Sequence, residues 1–409
     1  MLLKQTAPDS GLQRLLDEGY EVEVRNQHLL VHSIPYVTQH KEVKRGTIVC
    51  LFTENAGIIL PPLNPPDTHQ VWWTGEYPCF ASGNPIENIR NEDNEMELFA
   101  ECKIKHRFSN KPDGVNGFTD HYLKVTHYIS LLEHQARVIE PNVTARTGIA
   151  SKKIEEQSVF RYPDSASARA EIMMTSAKLA IGKVAIIGIG GTGAYILDQV
   201  TKTHTKEIHL YDGDEFLQHN AFRAPGAASK EAIQARQLKV DYFQNMYEPM
   251  RIGIHAHPYY LDEENISELD GFNFVFVCVD NGKARKLICR YLQSKSIPFI
   301  DVGMNLIMMP CTLKLRGSCR YTLSTPSQNS HIEEYIPMDS DDVDILYRQN
   351  IQVADMNALN AVLAVIKWKQ YFGFYDDAFT PYHGVFSIAS TSLVRTNGIQ
   401  SEMEKHEAE

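Results

Sequence analysis

Residues 183–223, KVAIIGIGGTGAYILDQVTKTHTKEIHLYDGDEFLQHNAFR, limit the folds open to this chain more than any other stretch. Val184 to Ile187 is a continuous apolar run stopped by Gly188, the pattern of a strand buried on both faces. Gly188, Gly190, Gly191 and Gly193 mark a turn, and Ala194, Leu197 and Val200 then predict a helix by their spacing. A second apolar run, Ile208 to Tyr211, ends in Asp212. In such a strand–turn–helix–strand–acid unit the glycines let the backbone approach a phosphate closely. The helix start offers unpaired N–H groups and a partial positive charge of roughly half an electron. An acid about 20 residues on can accept hydrogen bonds from a ribose. Glycines by themselves also serve turns into buried helices. Both strands, the helix and the acid together point to a nucleotide.

Strand and helix patterns alternate from 183 to 304, which predicts an α/β, Rossmann-like, doubly wound and mostly parallel sheet. Beyond Asp212 stand Asp214, Asn220 and Arg223, in the order D-x-D-x5-N-x2-R. Lys239 follows in QLKVDYF, and FNFVFVCVDN reads as a strand leading to Asp280. With this set, residues 155–370 resemble the ThiF/MoeB and ubiquitin-activating enzyme superfamily, whose members adenylate the C-terminus of a ubiquitin-like or sulfur-carrier protein. The resemblance implies ATP and Mg²⁺. It implies that Asp212 holds the ribose, that Asn220, Arg223 and Lys239 line the phosphates, and that Asp280 binds the metal. Asp214 serves the site or orients its neighbours. The family also carries an arginine on a preceding helix that reaches the phosphates, often across a dimer interface; Arg169 matches best and Arg161 second. Lys230 and Arg236 are rivals of Lys239, and each cation taken singly could be a solvated surface residue. Arg285 is either a brace of the site or a surface residue.

Adenylation needs little covalent chemistry from the protein. The attacking carboxylate is already ionised at pH 7, so no general base is required. Two anions must be held together, which takes positive charge and positioning. Arginine offers a planar fork for oxygen pairs, lysine a point charge.

The 409-residue chain is long enough for two or three domains. Residues 1–150 read as a smaller α+β domain, 151–400 as the adenylation domain and 401–409 as a disordered tail, with a linker at 148–158. Leu12, Leu15 and Leu16 suggest a short opening helix, and EVEVRNQHLLVHSIPYV and GTIVCLF suggest strands. Residues 57–67, with four prolines, read as an extended loop. DHYLKVTHYISLLEHQARVI reads as a helix capped by Asp120, with Leu123, Thr126, His127 and Ser130 on neighbouring turns. This half resembles the domain that precedes ThiF-like domains in some bacterial proteins encoded beside ubiquitin-like proteins. HQVWWTGEYPC resembles prokaryotic relatives of ubiquitin-conjugating enzymes, which makes a conjugating-enzyme-like protein a further partner class. In that light Cys79 is either an acyl acceptor or a small buried apolar residue, as free cysteine usually is. His69 and His121 read as structural. Of Trp72 and Trp73, one is expected in the core and the other free for a partner surface or a domain contact.

Onward transfer in many activating enzymes uses a cysteine on a loop. Here CTLKLRGSCRYTLSTPSQNSHIEEYIPMDS holds Cys311 and Cys319, and no cysteine follows. Thr322 stands where a C-x-x-C metal pair would be completed, so no structural zinc is expected there. The chain either adenylates only or passes the acyl group to a Ser or Thr hydroxyl near His331, which would need that base. The seven scattered cysteines form no C-x-x-C pair, which suits a reducing, cytoplasmic setting. No run of 18 apolar residues predicts a membrane span, and a net charge of −11 argues against nucleic acid. A homodimer is expected. The readings in competition are a sulfur-carrier adenylyltransferase, an NAD-binding oxidoreductase and a non-catalytic scaffold.

Overall fold

The structure, a computed structural model, describes residues 10–55, 58–62, 69–112, 117–149, 158–162, 164, 166–167, 170, 172–338, 351–378 and 381–396. The chain divides into two compact units, one of Met1–Ser158 with Pro163–Met174, the other of Val159–Tyr162 with Thr175–Glu409. Most of the expected linker, 150–157, and the tail 401–409 lie outside the described residues.

The first unit is built on strands β1 (Val22–Arg25), β2 (His28–Val37) and β3 (Val43–Leu51), a short ladder of β4 (Glu54–Asn55) with β5 (Ile58–Ile59), and then β6 (Gln70–Trp73), β7 (Arg90–Phe99) and β8 (Cys102–Ser109). The main sheet is antiparallel throughout, in the order β1-β2-β3-β6-β8-β7. Helices α1 (Ser10–Asp17) and α2 (His121–Ile139) contribute to its core. Asp120 caps α2, accepting the Leu123 N–H at 2.8 Å. The helix and its cap are as expected, and the structure shows which face is buried. Val125, Tyr128, Ile129, Leu132 and Ala136 face the core, and Leu123 is exposed. The two tryptophans depart from expectation, because both are buried on opposite sheet faces. Trp73 joins the core that includes α2, while Trp72 packs with Leu30, Val49, Leu51, Phe99 and Ile104 in a second cluster. No tryptophan is left for a partner there. The stretch read as a loop opens with β5, and 63–68 lie outside the described residues.

The second unit holds β9 (Lys183–Ile187), β10 (Glu207–Tyr211), β11 (Ile254–His257), β12 (Phe274–Val277), β13 (Phe299–Met309), β14 (Lys314–Ser324), β15 (His383–Ser387) and β16 (Ser392–Thr396). They form one sheet in the order β11-β10-β9-β12-β13-β14-β15-β16. The first five are parallel, and β14, β15 and β16 add antiparallel. The apolar runs are continuous because both faces are covered. Val184, Ile186, Phe274 and Phe276 point into one core with α3 (Gly191–Val200), α4 (Lys239–Tyr247) and α6 (Ala354–Tyr371). Ala185, Ile187, Val275 and Val277 point into another with α5 (Gly282–Ser294). The order turns outward from β9 in both directions. That leaves a crevice at the C-terminal ends of β9 and β12, where ligands of such sheets bind. No described helix is long and apolar enough to cross a membrane.

Candidate active site

The glycine turn after β9 is dictated by space. Gly188 has φ +88°, and a Cβ there would lie 2.8 Å from the Cys278 carbonyl oxygen. A Cβ on Gly193 would lie 1.9 Å from the Gly188 oxygen, and one on Gly191 would strike the Asn357 amide. Gly190 is different: a Cβ there meets nothing within 4 Å, and its open side faces a cavity of about 400 Å³. Gly190 is also the residue that opens α3, so the first helical N–H groups stand at this cavity.

Asp212, at the end of β10, is buried and wired to the turn. Its Oδ2 accepts the Ile189 N–H at 2.8 Å, and its Oδ1 accepts the Asp214 N–H at 2.9 Å. Lys239 opens α4 and lies between two carboxylates, 3.3 Å from Asp212 Oδ1 and 2.6 Å from Asp214 Oδ2. Burial pushes the Asp212 carboxyl up, against the opposing pull of Lys239 and the two backbone donors. Burial also raises Asp214, but hydrogen bonds from Lys239 and Tyr260 outweigh it and hold that carboxyl below its ordinary value. Of the three rivals, Lys239 is the one that lines the cavity. Arg236 is exposed and paired with Glu215 at 2.6 Å, and Lys230 is exposed at the start of a short helix.

Arg223 also lines the cavity. Its Nε is buried and has no hydrogen-bond partner. Burial pulls its guanidinium below the ordinary value, and the charges of Asp280 and Asp214 act the other way. A partly buried guanidinium with an orphan donor has the chemistry to meet an anion. Asp280 lines the same cavity, exposed, and accepts no hydrogen bond among the described residues. A solvated carboxylate of this kind suits Mg²⁺, which keeps several waters and shares substrate phosphates. The next residue, Asn281, caps α5 by accepting the Lys283 and Ala284 N–H groups.

Asn220 is placed otherwise than the resemblance implies. It is buried in the turn before Arg223, where its Oδ1 accepts the Leu217 N–H at 2.8 Å, and it is not among the residues lining the cavity. Arg169 lies outside the described residues. Arg161 is bound to Glu248, 3.3 Å away, and does not line the cavity.

Three polar residues of the cavity, Asn357, Asn360 and Arg320, have no counterpart in the sequence reading. Asn357 and Asn360 lie one turn apart on α6, both fully buried. Asn357 accepts the Thr192 hydroxyl at 2.9 Å, leaving its Nδ2 unpartnered; Asn360 donates to the Gly303 carbonyl at 3.3 Å, leaving its Oδ1 unpartnered. Arg320 enters through the space that Gly303 leaves, and ion-pairs with buried Asp301 at 2.6 Å. Arg285 pairs with the other Asp301 oxygen at 3.0 Å. It is therefore a buried brace, not a surface residue.

Cys278 is the one cysteine among the residues lining the cavity, and burial raises its thiol. Cys311 is exposed on the turn between β13 and β14, and Cys319 is buried with its thiol pushed up to about 12. His331 is buried, with Nε2 on the Leu323 carbonyl at 2.8 Å; among the described residues no Ser or Thr hydroxyl is hydrogen-bonded to it. The hydroxyl–imidazole pair in this region is Thr322 with His383, at 2.9 Å. In the first unit Cys79 is buried, and burial first, then the Glu76 charge, raises its thiol.

A doubly wound sheet with a glycine turn and a buried strand-end acid at its C-terminal edge is the arrangement that nucleotide-binding α/β domains share. Residues 168–362 match the ThiF family. Residues 10–165 match a domain of unknown function (DUF6791). Among solved structures, E. coli MccB with ATP aligns at 16% identity, covering 58% of this chain and 72% of that one, with a TM-score of 0.45. E. coli MccB with MccA-N7isoASN aligns at 14% identity over 58% and 72%, with a TM-score of 0.46. Selenomethionine PaaA aligns at 15% over 56% and 76%, with a TM-score of 0.43. No curated protein matches the sequence.

Proposed function

We propose that the second unit adenylates the C-terminal carboxylate of a ubiquitin-like protein, with ATP as the second substrate. A carboxylate oxygen attacks the α-phosphorus, the bond from that phosphorus to the bridging oxygen of the β-phosphate breaks, and pyrophosphate leaves. The observation that carries this reading is Arg223. Its unspent guanidinium faces a cavity already bounded by the glycine turn, Lys239 and Asp280. Asp212 positions the ribose from the end of β10. Lys239, held between Asp212 and Asp214, is within reach of a phosphate that displaces one of those carboxylates. Mg²⁺ held at Asp280 supplies charge neutralisation when bound. The neighbouring lining of Asn357, Asn360, Asn305 and Arg320 gives the arriving carboxylate and its peptide groups both donors and acceptors.

In this reading the chain is a homodimer acting in a bacterial ubiquitin-like conjugation pathway, with Arg169 completing the phosphate site. Onward transfer does not run through a loop cysteine: Cys319 is buried, and Cys311 stands outside the cavity lining. Binding of ATP and of NAD⁺ to the full chain, followed by calorimetry, tests the nucleotide. ATP binds and Asp212→Ala weakens it roughly tenfold or more, the scale of one charge-assisted ribose contact. Tight NAD⁺ binding with no ATP binding would return the oxidoreductase reading.

A further inference from the structure

A second cluster of chemistry-bearing side chains lies on strands β10 and β11, away from the glycine turn. Strand alternation puts Glu207, His209 and Tyr211 on one face, and the parallel register sets His209 opposite His255 and Tyr211 opposite His257. One nitrogen each from His209 and His255 and one Glu207 oxygen lie within 4.8 Å of one another.

A row of hydrogen bonds runs through this cluster. Glu207 Oε2 stands 3.2 Å from His209 Nε2, and His209 Nδ1 stands 2.9 Å from His257 Nε2. His257 Nδ1 is 3.0 Å from the Tyr259 hydroxyl, which is 2.8 Å from Glu268 Oε2. The row has four links. Its two ends are carboxylates, which only accept. Between them stand two neutral imidazoles and one phenol, each with a single proton to give. Three protons cannot fill four links, so one pair of lone pairs faces another across hydrogen-bond distance.

The count allows the bare link at any of the four positions; with Tyr259 donating to Glu268 and both imidazoles donating toward Tyr259, it falls at His209 Nε2 against Glu207. That is the link beside which His255 stands. We propose that Glu207, His209 and His255 form a divalent transition-metal site of the Zn²⁺ type, with a fourth position open to water. In a tetrahedral site with bonds of about 2.0–2.2 Å, ligand atoms stand about 3.3 Å apart. The Glu207–His209 separation of 3.2 Å already meets that. His255 is exposed and stacks on the His209 ring, 4.6 Å between centroids, so binding requires its imidazole to turn toward the metal. His257 is the outer partner that fixes the His209 tautomer, as metal-bound histidines require. Lys183, 3.6 Å from Glu207 and half exposed, turns to water when the metal takes that carboxylate.

The test uses the untagged full chain without nucleotide, titrated with Co²⁺ and followed by its visible absorption. One equivalent is expected to give a tetrahedral cobalt spectrum that Zn²⁺ displaces. His255→Ala, a change at an exposed position, is expected to weaken binding roughly tenfold or more, and Glu207→Gln to do likewise. No tetrahedral spectrum, or one unchanged in both variants, overturns the proposal and leaves the bare link to a proton. Neither outcome depends on whether the chain adenylates anything.

Discussion

At the scale of single residues the decisive feature is how charge is spent. Lys239 is matched by two carboxylates, Arg285 and Arg320 share Asp301, and Arg236 has Glu215. Arg223 keeps a buried donor without a partner. Removing it should hurt the transition state far more than the fold. Arg223→Ala is expected to lower the adenylation rate about 10²–10³-fold, the range for loss of one preorganised donor, with little change in melting temperature. Arg223→Lys should recover only part of this, because a point charge does not replace a planar fork. Full activity in Arg223→Ala, measured by pyrophosphate release at saturating substrates, would remove Arg223 from the chemistry. Much of this set was legible in the sequence. Asp212, Asp214, Arg223 and Lys239 fall in one short local order within the first part of the sheet. Asn220 shows the limit of that legibility, since its side chain is used to hold the turn that aims Arg223.

At the scale of elements, the sequence pattern reads well where a strand or helix is covered on a regular face and badly where contacts come from far along the chain. The parallel strands were legible as unbroken apolar runs, because α3, α4 and α6 cover one face and α5 the other. The polar wall of the cavity was not. Asn357 meets Thr192 across 165 positions and Asn360 meets Gly303 across 57. Within α6 both sit in an apolar helical stripe that reads as core. The Trp72 misreading has a plain cause: the first unit has a second cluster on the far face of its sheet, which local alternation does not reveal. The glycine turn gives the element-scale prediction. Gly193→Ala places a methyl group 1.9 Å from the Gly188 oxygen. It should cost about 1–3 kcal/mol as overpacking, lowering the melting temperature by about 3–10 °C in a unit of this size. It should also weaken ATP binding, because the turn must open. A variant with unchanged melting and ATP affinity would show that the turn is less tightly packed than described.

At the scale of the whole molecule, acid should destabilise the second unit through His383. Burial, aided by the charges of Arg320 and His331, lowers its imidazole to about 4, against about 6.5 in an unfolded chain. Between those values the unfolded chain binds a proton that the folded chain refuses. Stability therefore falls as pH drops from about 6.5 to about 4, by up to about 3 kcal/mol from this group, and levels off below. Urea midpoints at pH 7.5 and 4.5 should separate less in His383→Gln than in the wild type. Equal separation would assign the acid sensitivity elsewhere.

The account rests on carboxylate activation at the cavity of the second unit. Its most direct test is ATP–pyrophosphate exchange by the full chain with Mg²⁺, using ubiquitin-like proteins from the same genome with a free or an amidated C-terminus. Exchange that appears only with the free carboxylate, and collapses in Arg223→Ala, is the predicted result. Exchange that is indifferent to amidation of a protein that supports it, or that survives loss of Arg223 undiminished, would contradict the account.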